Sequence, residues 1–402
     1  MADRHGAGFG SVTRLPDARE KLLSLVEPHG RTQQVEPDTA VGRVLAEPVD
    51  AERAVPHFER AAMDGFAVRS SDTHGASDRS PRQLDPTTDA VGSEEGVPVN
   101  TGQPLPEGAD AVVMIEDVTE RDGIIDVTSA LTPGENVSPV GEDVSEGRTL
   151  FEPGRRIGPA DVALLRATGV DSVVVRDRPD VGVIPTGEEL VEDDPARGEI
   201  VETNGTMVAE LVGQWGGRAN TEGIVTDDFD RLAEEIRTAA GTNDLVVTTG
   251  GSSVGDRDLL PEVLKSIGEL CVHGVAIKPG HPVGFGNVEE TPILVLPGYP
   301  VSSFVGATQL LRPAIARAGG FDPAPIHSRE AQLGGKIASE PGIRTFARVT
   351  DTEEGHIEPL RVAGASVLSS ITDAEGWVVV PESVEGYAAG ETVTVETWNW
   401  TE

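Results

Sequence analysis

Cysteine and lysine are nearly absent from this chain of 402 residues: Cys271 is the single cysteine, and Lys21, Lys265, Lys278 and Lys336 are the only lysines. One cysteine makes an intramolecular disulfide impossible and a cysteine-rich metal site untenable. Its place in the apolar run Leu270-Cys271-Val272 reads as a buried structural thiol. No stretch approaches about 18 uninterrupted apolar residues, so no transmembrane helix is expected. The N-terminus Met1-Ala2-Asp3-Arg4-His5-Gly6 leads into no apolar segment, which speaks against a secretory signal. These absences predict a soluble, cytoplasmic protein. Positive charge is also scarce, with 32 Lys+Arg against 68 Asp+Glu and a formal net charge of −36. A broad basic face for a nucleic-acid backbone is thereby excluded. A small anionic ligand is not, because a few Arg, Lys and backbone N–H groups can build a local positive pocket. The acid is spread over the whole chain, which suggests a protein working at very high salt, where repulsion is screened within a few Å.

What is present is a patterned, multidomain chain. Leu15 to Val26 reads as an amphipathic helix with Ala18, Leu22, Leu25 and Val26 on one face. Short apolar runs such as Phe66-Ala67-Val68 and Ala111-Val112-Val113-Met114-Ile115 then alternate with Gly, Pro, Asp and Thr, as in a small β-domain. Asp161 to Thr168 reads as a helix and Ser172 to Val175 as a strand. From about 180 to 320 the pattern predicts strands at Val181–Ile184, Ile224–Val225, Leu245–Thr248, 270–277 and Ile293–Leu296. Between them lie helices after Thr203 or Asn204, at Phe229–Ala240, near 259–267 and at Val301–Ala318. Strands alternating with helices imply parallel βαβ units covered on both faces, a doubly wound, mostly parallel α/β domain. Residues 323–402 return to short strands such as Trp377–Val380 and Thr392–Val395, a terminal β-domain.

In open parallel sheets ligands bind beyond the carboxyl ends of the strands. Three loops there carry special residues: Thr186-Gly187-Glu188-Glu189-Leu190, the Thr249–Asp258 loop, and Leu296-Pro297-Gly298-Tyr299-Pro300-Val301-Ser302-Ser303. In the second, Gly250, Gly251 and Gly255 let backbone N–H groups approach an anion, and Ser252 and Ser253 supply hydroxyl donors. Asp256 and Asp258 follow at once, and carboxylates beside a phosphate imply a divalent cation with hard oxygen ligands, such as Mg2+. Neither G-x-x-x-x-G-K-[ST] nor G-x-G-x-x-G occurs in this loop, so P-loop and dinucleotide chemistry are unsupported. Gly251-Ser252-Ser253-Val254-Gly255 also fits a nucleophile elbow, with His281, His327 and His356 downstream for a serine hydrolase. Gly250 and Asp258 suit a phosphate cradle better. Lys278, in the stiff loop Lys278-Pro279-Gly280-His281-Pro282, is placed to meet an anion, and His281 reads equally as a neutral donor or a packing residue.

Further segments are ordinary turns singly and distinctive together. Ala61-Ala62-Met63-Asp64-Gly65-Phe66, Thr101-Gly102, Glu107-Gly108-Ala109-Asp110-Ala111-Val112-Val113-Met114, Gly134-Glu135-Asn136-Val137 and Gly141-Glu142-Asp143 occur in this order. Thr186-Gly187-Glu188-Glu189-Leu190, Asp227-Asp228, the Gly250–Asp258 loop, Ile277-Lys278-Pro279-Gly280 and Leu296-Pro297-Gly298 follow. The set resembles the molybdopterin molybdenumtransferase family, which includes MoeA and the C-terminal E domain of gephyrin, from about residue 15 to the C-terminus.

The resemblance implies an elongated homodimer of four parts: a linking domain (11–47 and 145–178), a β-domain (48–144), a molybdopterin-binding α/β domain (179–322) and a C-terminal β-barrel (323–402). It implies insertion of molybdate into the dithiolene of adenylated molybdopterin, with Mg2+ and release of AMP. The implied cleft lies between the α/β domain of one subunit and the β-domain of the other, which would account for Asp64, Thr101 and Asp143. By the same resemblance Glu189 and Asp258 would hold the Mg2+, Asp228 would shape the cleft, and Gly250, Gly251, Ser252, Ser253 and Gly255 would cradle phosphates. Pro297, Gly298 and Pro300 would line the pterin side. Lys278 would balance molybdate and dithiolene charge, and Arg344 would face the oxyanion with Ser366, Ser369 or Ser370 nearby. The sequence departs from the family pattern at His281, where a second lysine is frequent, at Tyr299, where asparagine is frequent, and at Ala365, where a serine is expected. These departures leave open tungstate in place of molybdate. A non-catalytic molybdopterin-binding scaffold and a molybdopterin adenylyltransferase are the competing readings.

Overall fold

The computed structural model describes residues 12–250, 259–360 and 364–398. The chain divides into two compact units, Met1–Gln33 with Arg176–Glu402, and Gln34–Val175. No helix among the described residues is long and apolar enough to cross a membrane.

The first unit begins with α1 (Leu15–Leu25), whose Leu15, Ala18 and Leu22 are buried at helical spacing. Burying the two leucines contributes about 3–6 kcal/mol before entropy is counted. Next come β1 (Asp180–Pro185), α2 (Asn204–Gln214), β2 (Arg218–Thr221), α3 (Phe229–Ala240), β3 (Leu245–Thr249) and α4 (Leu260–Ile267). Then follow β4 (Glu269–His273), β5 (Ile277–Lys278), β6 (Gly284–Val288), β7 (Thr291–Leu296) and a long helical run. That run consists of α5 (Pro300–Gly306), a π-helical stretch (Ala307–Leu311) and α6 (Arg312–Gly319).

Six strands form one sheet in the order β2-β1-β3-β7-β6-β4. The first four are mutually parallel, while β6 runs antiparallel to both β7 and β4. Strand residues alternate between two cores. Val181, Val183, Val247 and Leu294 pack with α1, α2 and the α5–α6 run on one face. Ile184, Val246, Ile293 and Val295 pack with α3 and α4 on the other. A period of two feeding two apolar cores is the doubly wound arrangement expected from the sequence.

Three elements differ from expectation. The edge strand is Arg218–Thr221, and Val225 makes only a single parallel bridge to Thr186. The 270–277 run is two strands with different partners, because Gly274-Val275-Ala276 turns the chain out of the α/β sheet. β6 was not expected; its glycines follow from backbone crowding, since a Cβ on Gly286 would sit 1.8 Å from the Glu269 carbonyl oxygen.

The C-terminal β-domain contains β8 (Ser328–Gln332), β9 (Arg344–Asp351), β10 (Gly376–Val380) and β11 (Thr392–Glu396). Its sheet has the order β5-β9-β10-β11-β8 around Leu333, Ile337, Val349, Val378 and Val395. β5 thus leaves the α/β layer to pair in parallel with β9, Ile277 opposite Arg344 and Lys278 opposite Thr345.

The second unit holds a six-stranded sheet in the order 111–114, 65–68, 95–99, 82–86, 124–127, 118–121. Alternate residues again face two cores, Phe66 and Val68 in one and Ala67 and Val97 in the other. A further core joins Leu45, Val49, Phe151, Ile157 and Val175 to the helix Pro159–Ala167 through Leu165. The expected linking segment 11–47 therefore contributes to both units, α1 to the α/β core and residues 40–47 to this one.

Candidate functional site

The carboxyl ends of β1, β3 and β7 converge in the first unit. β1 runs into Thr186, whose N–H donates to the Thr249 carbonyl at 3.0 Å. β3 runs into Gly250, whose N–H donates to the Leu296 carbonyl at the end of β7, also at 3.0 Å. Gly250 has φ +118°, and a Cβ there would lie 2.2 Å from the Thr186 carbonyl oxygen, so only glycine lets these strand ends close up. Gly298 approaches from the third loop: a Cβ on it would be 3.7 Å from the Gly250 Cα. The Gly298 carbonyl accepts a 2.7 Å bond from Asn204 Nδ2 at the start of α2, so α2 holds the β7 loop in place. Pro297 is buried behind it, Pro300 is half-buried and starts α5, and Tyr299 is exposed.

The floor so formed is polar and unsatisfied. Thr186 Oγ1, Thr249 Oγ1, Ser303 Oγ and Asn204 Oδ1 are buried atoms with no hydrogen-bond partner among the described residues. Four such atoms at the ends of two adjacent strands and in the first turns of two helices are costly unless a ligand engages them. The sequence loops contained Thr186, Thr249 and Ser303, whereas Asn204 had no sequence signal beyond its place at a helix start.

Carboxylates ring one side. Asp228, expected to shape the cleft, caps α3 by accepting the Arg231 N–H at 2.9 Å. Its neighbour Asp227 faces Glu189: burial first, and the Glu189 charge next, push its carboxyl above the ordinary carboxylate range. Asp227 is thus the member of the Asp227-Asp228 pair that meets Glu189. Two facing carboxylates, both hard oxygen donors, fit a small divalent cation. Among the described residues no set of three or more His, Cys, Asp or Glu side chains has metal-ligand geometry. Gly251, Ser252, Ser253, Gly255 and Asp258 lie outside the described residues.

Two cations stand at the seam with the C-terminal β-domain. Lys278 Nζ pairs with Glu340 Oε1 at 2.8 Å, with both side chains about half exposed. Arg344 binds Glu382 Oε2 through Nε at 3.2 Å and Nη2 at 2.9 Å, more deeply buried, while Glu382 Oε1 has no partner among the described residues. Burial pulls His281 below the usual histidine pKa, which favours a neutral ring. The Val301 N–H donates to the Ala365 carbonyl at 3.0 Å, so the segment leading to Ser369 rests on the N-terminus of α5. Ser369 opens the short helix Ser369–Thr372 and is exposed, whereas Ser370 is buried and donates to the Val367 carbonyl.

In the second unit Asp64 accepts the Thr101 N–H at 2.7 Å and the Thr101 hydroxyl at 2.8 Å. These bonds, the backbone one first, hold its carboxyl below the ordinary range. Asp143 is exposed on the same unit, its carbonyl accepting from Arg148.

Comparison with known proteins agrees with this architecture. Family models match three successive regions, "MoeA N-terminal region (domain I and II)" over residues 13–169, "Probable molybdopterin binding domain" over 182–317 and "MoeA C-terminal region (domain IV)" over 330–398. The chain is 33% identical over 399 residues to a molybdopterin molybdenumtransferase of Haemophilus influenzae, covering 96% of this chain and 98% of the relative. It is 32% identical to that of Bacillus subtilis, covering 91% and 90%. A crystal structure of a molybdopterin biosynthesis MoeA protein from Pyrococcus horikoshii superposes with a TM-score of 0.82 at 34% identity, covering 96% of this chain and 99% of that one. With all three regions matched in order and its full length aligned to these relatives, the chain belongs to the MoeA family.

Proposed function

We propose that this protein is a molybdopterin molybdenumtransferase of molybdenum cofactor biosynthesis, which inserts molybdate into adenylated molybdopterin with Mg2+-dependent release of AMP. The observation that supports this most is the floor of partnerless buried hydroxyl and amide groups at Thr186, Thr249, Ser303 and Asn204, joined to the Gly250 cradle. Such a floor suits a polar, anionic ligand laid across the strand ends.

In this reading Thr186, Thr249 and Ser303 bind and orient the substrate's phosphate and pterin groups, with Gly298 and Pro300 alongside. Glu189, Asp227 and Asp258 are the residues that would hold Mg2+. When bound, the ion would supply charge neutralisation for the pyrophosphate and a Lewis acid at its bridging oxygen. Lys278 and Arg344 bind the molybdate substrate, which competes for them with Glu340 and Glu382. Neutral His281 offers a donor without adding charge. The chain's contribution is positioning and electrostatic compensation of two anions brought together. Homodimer formation, the four-part domain boundaries, a cytoplasmic location, the roles of Asp64, Thr101 and Asp143, and adaptation to high salt belong to the same proposal. The last is supported by a net charge of −36.

The test supplies purified protein with adenylated molybdopterin, Mg2+ and molybdate at high salt and follows AMP and metal-loaded cofactor, with tungstate in parallel. AMP release that falls at least about a hundredfold in Asp258→Ala is expected. Absence of AMP release, or release unaffected by that substitution, would leave only a cofactor-binding scaffold.

A further inference from the structure

The C-terminal β-domain has a cavity of its own, of about 280 Å³, lined by Lys336, Ile337, Phe346, Arg348, Pro359 and Leu360 among others. Arg348 stands on β9, opposite Trp377 of β10, and the Leu360 N–H donates to the Arg348 carbonyl, which fixes the 359–360 segment beside it. Its guanidinium Nε and Nη1 are both buried and have no hydrogen-bond partner among the described residues. Those two atoms carry three N–H bonds, and arginine does not escape the penalty by shedding its proton. Elsewhere in this acid-rich chain arginines have found carboxylates, for example Arg155 on Asp161 and Arg329 on Asp351. Glu358 is the neighbouring acid, but it lies against the Gly335 backbone and faces His356 Nε2 at 3.6 Å. The second cation, Lys336, is one of only four lysines in the chain and makes no salt bridge among the described residues.

We propose that this cavity binds a tetrahedral oxyanion, of the chemical class shared by sulfate, phosphate and molybdate, through the buried guanidinium of Arg348 with Lys336 as second cation. Planar N–H donors with no protein acceptor match an oxygen-only anion, and the apolar walls at Ile337, Phe346 and Leu360 restrict it to something small. The cavity's lining includes neither Lys278, Arg344 nor the Gly250 floor, although Arg348 and Arg344 share strand β9, and the site does not depend on the transferase reading. Were molybdate the preferred occupant, the cavity would hold substrate away from the reacting centre; were sulfate or phosphate preferred, it would be an ion site of the fold.

The experiment is isothermal titration of the full chain, in chloride buffer at high salt, with sodium molybdate, sulfate and phosphate in separate runs. At least one anion is expected to bind in a way that Lys278→Ala leaves intact and Arg348→Met weakens about ten- to hundredfold, the worth of a charge-assisted hydrogen bond. Lys336→Met, at an exposed position, should weaken it about fivefold and decides the matter if Arg348→Met does not fold. No heat with any of the three anions, or isotherms unchanged in both variants, would overturn the proposal.

Discussion

Gly250→Ala isolates the contact on which the strand-end floor depends. At φ +118° an L-residue is strained by about 1–3 kcal/mol. The new methyl would also start 2.2 Å from the Thr186 carbonyl oxygen and 3.0 Å from Thr186 Oγ1. Relieving that overlap means parting β1 from β3, which costs about 1–3 kcal/mol more. The sum is about 2–5 kcal/mol, or a fall in Tm of roughly 5–15 °C for a unit of this size. Gly298→Ala is the matched control, because among the described residues its Cβ would meet nothing closer than the Gly250 Cα at 3.7 Å. Its cost should stay within about 0.5 kcal/mol. Thermal and urea unfolding of both variants at one fixed high salt concentration would measure the difference. In the transferase assay Gly250→Ala should lose most activity even at a temperature where it remains folded, since the displaced Thr186 hydroxyl belongs to the floor. A Gly250→Ala protein as stable as Gly298→Ala would refute the close approach of the two strand ends.

Asp161→Ala removes the carboxylate that accepts from the Gly158 N–H at 2.9 Å and from Arg155 at 2.7 Å, so helix 159–167 should lose about 1–2 kcal/mol of support. The Arg155 bond, the larger cause, and the Gly158 N–H lower the Asp161 pKa, so its contribution is complete above the ordinary carboxylate range and disappears as pH falls through the lowered folded value. Amide exchange across that helix at neutral and acid pH checks both statements. His281 should titrate below 6.5 by NMR, and because its folded pKa is depressed, stability should decline as pH falls below the unfolded value of 6.5. A His281 midpoint at or above 6.5 would contradict the partial desolvation of its ring. Lys278→Ala should raise KM for molybdate about three- to tenfold, a modest factor because the ammonium is half exposed and already shared with Glu340, and steady-state kinetics at varied molybdate would show it.

The sequence was informative where apolar period and burial coincide. Helix Phe229–Ala240 appears at the residues expected, because Leu232, Ala233 and Ile236 must face a sheet and Asp228 supplies the cap. It was uninformative where backbone rather than side chains makes the element. β2, Arg-Ala-Asn-Thr, is a sheet edge with partly exposed polar residues and no apolar alternation to reveal it. In β6 the glycines at 284 and 286 look like a loop, yet at Gly286 β4 approaches too closely for any side chain and at Gly284 it leaves a Cβ only tight room. At the site, the motif Asp227-Asp228 was visible, but which carboxylate caps and which faces Glu189 depends on where α3 begins. The Lys278–Glu340 and Arg344–Glu382 pairs span 62 and 38 residues, a separation that no local pattern encodes.

β5 has a mechanical consequence. Ile277 and Lys278 leave the α/β sheet to become the first strand of the C-terminal sheet, clamped to Arg344 and Thr345. The lysine and the arginine therefore ride on one plate, while Thr186, Gly250 and Glu189 ride on another. Any sliding of the C-terminal sheet carries both positive charges together across the fixed bed of donors and carboxylates. Closure of that plate would be set by backbone hydrogen bonds between two strands, and side chains would follow it as passengers.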